Sequence, residues 1–165
     1  MFKIRNIIYT AGCSIVLVMV YASSCEKLLM ERVYRIQIEN YSPNTVNFIV
    51  GNHFSFPVYP DTSLRATRPG LQAVPPSDKR WHDSWIPWED VYKEFPADTM
   101  SIFFIDNSVY EQTDWEEVRN EYKILMRYDL SIKDLQQLNF VVPYPPTSAM
   151  RNMKIFQPLD VNVNQ

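Results

Sequence analysis

The chain has 165 residues, with 19 acidic against 16 basic side chains for a net charge of −3, and it contains 2 Cys, 2 His and 3 Gly. That length suits one domain with a real hydrophobic core. The acidic balance argues against nucleic acid and anionic membrane surfaces as partners, because both need clustered Lys and Arg.

The first 25 residues carry the clearest signal in the sequence. Lys3 and Arg5 form a short cationic start, and the uncharged run from Ile7 to Ala22 is dominated by aliphatic residues. The run falls short of the roughly 20 residues of a transmembrane helix but suffices for the core of a secretory signal. It ends in Ala22-Ser23-Ser24-Cys25, small residues before a cysteine, which resembles the lipobox of bacterial lipoproteins. The resemblance implies cleavage before Cys25, thioether diacylglycerol on its sulfur and an acylated amino terminus. Several acyl chains make a stable anchor, since each buried methylene contributes about 0.8 kcal/mol. Thr10-Ala11-Gly12-Cys13 matches the same motif, but cleavage there leaves too short an apolar core and strands Ile15 to Tyr21 on the mature protein. Cys25 is therefore the expected lipidation site.

The expected organisation is a signal peptide over residues 1–24, a lipidated tether over 25–32 and a single β-rich domain over 33–165. Loss of Lys3 and Arg5 takes the net charge from −3 to −5. Cys13 leaves with the signal and Cys25 carries lipid, so the domain has no disulfide and no thiolate metal ligand.

In chain order, Val33 to Glu39 alternates, with Tyr34, Ile36 and Ile38 on one face and Arg35, Gln37 and Glu39 on the other, as a half-buried strand does. The turn residues Asn40 to Asn44 lead to a second strand over Thr45 to Val50, expected as its hairpin partner. Five prolines between Phe54 and Arg80 confine any strand there to an edge. Pro87 opens a short helix whose buried stripe is Trp88, Val91, Tyr92 and Phe95. Met100 to Asp106 and Lys123 to Tyr128 read as central strands. Between them Thr113-Asp114-Trp115-Glu116 fits a capping box for a two-turn helix with Trp115, Val118 and Tyr122 on one side, and Ser131 to Asp134 starts another with Leu135 and Leu138 inward. Phe140 to Val142 is extended. Helices this short are poor covers for a parallel sheet, so the expected fold is mainly β, an antiparallel sandwich, immunoglobulin-like or similar, with short helical connections; an α+β fold is the alternative.

Arg127-Tyr128-Asp129-Leu130-Ser131, Asp134-Leu135, Leu138-Asn139, Tyr144-Pro145-Pro146 and Met150 together resemble a signature of small uncharacterised envelope lipoproteins of Gram-negative gut bacteria. That resemblance implies an envelope location and a shared fold, and brings no activity with it.

Catalytic motifs are sparse. Gly51 and Gly70 are the only glycines after the signal, too few for a phosphate loop or a nucleophile elbow. Trp81-His82-Asp83-Ser84-Trp85 places an imidazole, a carboxylate and a hydroxyl side by side, but triad members approach a substrate from separate directions. His53 and His82 lack metal-ligand spacing, and the span from Asp106 to Glu117 has Glu111 where a calcium loop needs Gly, so no metal and no cofactor is expected. Glu89, Asp90, Glu94, Asp114, Glu116 and Glu117 could supply a glycosidase pair, yet they sit near helix starts, where the dipole favours acids. Asp98-Thr99-Met100 resembles a bacterial O-glycosylation acceptor.

What remains is an aromatic loop. Trp88 belongs to the helix, while Trp81 and Trp85, with His82 between them, fall before it and could meet a ligand; packing at a sheet edge explains the same residues. The expectation is a non-enzymatic interaction or scaffold module of the cell envelope. It would be anchored in an outer membrane through lipid on Cys25, more on the periplasmic face than the surface. A glycan binder using Trp81 and Trp85 is the alternative, and a glycan-active hydrolase the second.

Overall fold

The computed structural model describes residues 32–51, 64–95 and 98–158. Cys13, Cys25, the tether up to residue 31 and His53 lie outside the described residues. The chain divides into two compact units, Met1–Val33 and Tyr34–Gln165. The second contains the elements β1 (Tyr34–Asn40), β2 (Val46–Val50), β3 (Ala73–Val74), β4 (Lys79–Ser84), α1 (Trp88–Lys93), β5 (Met100–Asp106), α2 (Asn107–Gln112), α3 (Trp115–Asn120), β6 (Met126–Leu130), α4 (Ile132–Gln137), β7 (Val141–Tyr144) and β8 (Lys154–Phe156), with a 3-10 turn at Ser148–Met150.

The fold is mainly β and sandwich-like. A three-stranded sheet in the order β4-β1-β7 faces a five-stranded sheet in the order β3-β2-β5-β6-β8. All pairings are antiparallel except β1 with β7, which is parallel. Ile36, Ile38 and Val142 from the smaller sheet meet Phe48, Ile102, Phe104, Tyr128 and Leu130 from the larger one in a single buried cluster, which α1 and α4 extend with Trp88, Val91, Tyr92, Leu135 and Leu138. The opposite face of the larger sheet is buried too. There Ile49, Phe103 and Ile105 pack against Tyr110 of α2, Trp115 and Val118 of α3, Ile124 and Leu64.

That second core explains why β2 and β5 read as continuous apolar runs rather than alternating ones. A strand covered on both faces is apolar at most positions, and the buried polar exceptions, Asn47 and Ser101, donate to Asn107 and Asp129. The segment from Leu64 to Gly70 closes this side through side-chain clasps: Trp115 Nε1 donates to the Arg65 carbonyl at 2.9 Å, Arg119 Nε to Leu64 at 3.1 Å, and the Tyr110 hydroxyl to Pro69.

Several expectations need correction. β1 and β2 do not form a hairpin; each pairs with other strands, and they face one another across the core in different sheets. The cause is Asn40, 1 % exposed, whose Nδ2 donates to the carbonyls of Asn44 and Val74 while its Oδ1 accepts from the Ser42 amide and hydroxyl. Those bonds turn the chain from one sheet to the other. Asp114, not Thr113, caps α3, accepting from the Glu116 amide at 2.8 Å, and α2 intervenes unforeseen, capped by Asp106 through Ser108. The strand expected from Lys123 begins only at Met126, because Tyr122 takes a left-handed φ of 53° and Lys123 N bonds back to Val118 O to close α3.

Nearly all residues of the C-terminal signature have structural duties. Tyr128, Leu130, Leu135, Leu138 and Met150 are core, Ser131 and Asp134 form a reciprocal capping box, Asn139 takes a left-handed φ of 51°, and the Tyr144–Pro145 bond is cis. Arg127 and Asp129 are a buried ion pair.

Candidate functional site

β4 is an edge strand, and its register with β1 builds a polar, aromatic surface. Arg35 lies opposite Asp83, Gln37 opposite Trp81 and Glu39 opposite Lys79. Ile36 and Ile38, fully buried, mark the other face of β1 as the core face, so these three pairs point outward. Arg35 Nε stands 3.2 Å from Asp83 Oδ1.

The middle of this face is a relay of hydrogen bonds. Trp81 Nε1 donates to Gln37 Oε1 at 3.2 Å, Gln37 Nε2 donates to Glu39 Oε1 at 2.6 Å, and the Tyr41 hydroxyl donates to Glu39 Oε2. The bond to the Glu39 carboxylate, aided by slight burial and by its charge, raises the Tyr41 pKa above the ordinary phenol value. Two exposed aromatic rings thus stand at the ends of an amide and a carboxylate, Trp81 at 48 % and Tyr41 at 63 % exposure. Four residue steps from Gln37 to Tyr41 amount to about 13 Å in extended chain. Trp81, expected in a loop, lies in a strand.

Trp85 follows the end of β4 and is 70 % exposed. Ser84 makes the corner there: its buried hydroxyl donates to Ile86 O at 2.8 Å and accepts from Ile86 N at 3.2 Å, turning the chain into Pro87 and α1. The exposed Ile86 adds to the apolar surface of the bend.

His82 is not part of this surface. Strand alternation puts it on the inner side opposite Ile36, with its ring centroid 5.6 Å from that of Trp88, and it borders a cavity of about 140 Å³ with Phe48, Val50, Arg65 and Gln72. The same alternation sends His82 and Asp83 to opposite faces, with Asp83 held by Arg35. The imidazole, carboxylate and hydroxyl that adjoin in sequence therefore do not converge.

Four of the six helix carboxylates, Glu89, Asp90, Asp114 and Glu117, are engaged locally. Asp90 pairs with Lys93 at 2.6 Å, Glu117 with Lys123, and Glu89 accepts from Gln136 at 3.0 Å. Of the acids that end the calcium-loop-like span, Asp106 caps α2 and Glu117 pairs with Lys123, while Asp114 within it caps α3. Thr99 is 8 % exposed, a poor position for an enzyme to reach its hydroxyl. Among the described residues no cluster of three or more His, Cys, Asp or Glu could hold a metal ion, and no helix is long and apolar enough to cross a membrane.

Tyr41, Gln37 and Glu39 escaped the sequence reading as site residues. The outward parity of Gln37 and Glu39 was visible, but their neighbour Trp81 is brought beside them only by the pairing of β1 with a strand more than 40 positions away.

No family model, curated protein or solved structure matches the chain.

Proposed function

We propose that this chain is a lipid-anchored cell-envelope protein that works by binding, through the outer face of its three-stranded sheet. The lipobox ending at Cys25 supports the membrane anchor, and Glu26-Lys27-Leu28-Leu29, with one acid and no acidic run, favours the periplasmic face of an outer membrane over its surface. The observation that carries the binding reading is the outward row Trp81, Gln37, Glu39 and Tyr41, where exposed aromatic area adjoins hydrogen-bonding groups on a rigid sheet. A protein partner fits such a surface, as Trp and Tyr are the usual anchors of protein contacts.

A neutral glycan is the second reading. Aromatic faces stack on the apolar faces of sugar rings, while the amide and carboxylate offer partners to ring hydroxyls. The charges of the face also cancel, Arg35 and Lys79 against Asp83 and Glu39, which favours an uncharged ligand over an ionic one.

The test has two arms. Cys25→Ala should abolish metabolic lipid labelling, and retained labelling would sink the assignment to Cys25. A glycan panel and cross-linking in envelopes, repeated with Trp81→Ala and Tyr41→Ala, should show loss of one binding activity; unchanged binding in both variants rejects this face. Turnover of a glycan would replace the binding reading with the hydrolase.

A further inference from the structure

β4 pairs with β1 on one side only, and among the described residues no strand occupies its other edge. An open edge is a template for another strand. Natural edges are commonly blunted by charge, and β4 carries Lys79, Arg80 and Asp83. Here, however, Lys79 and Asp83 lie symmetrically about Trp81 on the same outer face. That symmetry makes the edge complementary to itself.

We propose that β4 pairs antiparallel with β4 of a second copy, about a two-fold axis through Trp81, to form a six-stranded sheet from two three-stranded ones. Antiparallel partners directly opposite share a face, so only registers that keep both outer faces on one side are compatible with continuing the sandwich. With Trp81 opposite Trp81 of the second copy, Lys79 of each chain meets Asp83 of the other. The existing pairs of β4 with β1 then extend these contacts into rows across four strands. One row reads Arg35, Asp83, then Lys79 and Glu39 of the second copy, with signs alternating throughout; its symmetry mate repeats it, and the central row is Gln37, Trp81, Trp81, Gln37.

Neighbouring registers lack this match. Sliding each strand by one residue sets Trp81 opposite Asp83 or opposite Lys79, and sliding by two sets Asp83 against Asp83 or Lys79 against Lys79. Opposite charges across strands stabilise and like charges destabilise, so the Trp81-centred register is selected. The dimer leaves the outer face open and brings two Trp81 rings together on it. It does not require the binding reading above.

A five-residue strand contact buries less than the roughly 1,200 Å² of a standard stable interface, so the dimer belongs with weak, reversible contacts and is sought at protein concentrations from about 1 to 100 µM. The test uses a soluble form from Glu26 to Gln165, which holds the whole compact unit and both cores. Sedimentation equilibrium should give a concentration-dependent approach to twice the monomer mass. Lys79→Asp alone and Asp83→Lys alone should each remain monomeric, because each sets like charges opposite one another twice. An equimolar mixture of the two should regain dimers, since every pair across the axis is then of opposite sign. Recovery in the mixture also establishes that both variants are folded. Because the two substitutions also face Glu39 and Arg35 within each chain, both variants are first matched to wild type by circular dichroism and urea unfolding. Wild-type protein that stays monomeric across this concentration range, single variants that dimerise as well as wild type, or a mixture of natively folded variants that fails to recover, would each overturn the proposal.

Discussion

Arg127 and Asp129 occupy alternate positions of β6 on the same face and are joined by two bonds, Arg127 Nε to Asp129 Oδ1 at 3.0 Å and Nη2 to Oδ2 at 3.2 Å. Both side chains are buried, at 8 % and 3 % exposure. Ser101 Oγ donates to Asp129 Oδ1 at 2.8 Å, Arg127 Nη1 donates to the Tyr122 hydroxyl at 2.7 Å, and Phe156 of β8 covers the guanidinium at 4.1 Å. Burial works against the Arg127 charge, but Tyr122 and Asp129 outweigh it and the pKa is raised. Tyr122, whose left-handed backbone closes α3, thus also anchors this network.

Removing one member strands the other. Asp129→Ala should cost about 3 to 5 kcal/mol in urea unfolding, because it leaves a buried cation without its partner. The double variant Arg127→Met with Asp129→Leu should cost less than Asp129→Ala alone, since apolar replacement avoids the stranded charge. A double variant at least as unstable as the single would show that the pair itself supplies net stability.

The four tryptophans divide by burial, and their variants should divide likewise. Trp88 and Trp115 are 4 % and 7 % exposed and lie in the two separate cores. Replacing either by Ala should cost about 3 to 5 kcal/mol. Trp81→Ala and Trp85→Ala should stay within about 0.5 kcal/mol of wild type by chemical denaturation of the monomer, the usual range for exposed sites.

Alkaline pH should destabilise the fold through two buried phenols. Tyr92 donates to Leu130 O at 3.0 Å and Tyr128 to Pro143 O at 3.1 Å, and burial pushes both pKa values well above the ordinary 10. Their stabilising contribution is complete below pH of about 10 and declines above it, by up to about 1.4 kcal/mol per pH unit for each group, because only the unfolded chain ionises readily. Absorbance titration should show the exposed Tyr41 ionising in the native state, while these two ionise only with loss of circular dichroism. Their native ionisation near pH 10 would contradict the burial.

Ser131 begins α4 with a complete capping box: its hydroxyl accepts from Asp134 N at 3.2 Å, and Asp134 Oδ2 accepts from Ser131 N at 2.8 Å. Ser131→Ala should lower stability by about 1 kcal/mol, measured as a shift in the urea midpoint without a change in slope. Ser131→Thr, whose hydroxyl can still accept from Asp134 N and donate to Asp134 Oδ2, should recover most of that loss.

Local patterns were enough to reveal the elements. The alternation of Tyr34 to Glu39 marked β1, Ser131 with Asp134 marked α4, Pro87 marked the start of α1 with Trp88, Val91 and Tyr92 inward, and Met100 to Asp106 marked β5 without error. Each of these signals acts within a few residues, through backbone geometry, capping or periodic burial. The mainly β class followed from them.

Which strands lie together was a different matter. Alternation in β1 and the apolar run of β2 are compatible both with a hairpin and with two layers of a sandwich, and the buried Asn40 decides between them through a bond to Val74, 34 residues away. The candidate site has the same origin. The sequence by itself determined that Trp81 and Trp85 are not spent on α1, and that Gln37 and Glu39 face away from the apolar side of β1. Only the tertiary structure set Trp81 against Gln37 and turned His82 inward, because register between distant strands is selected by the packing of the whole core.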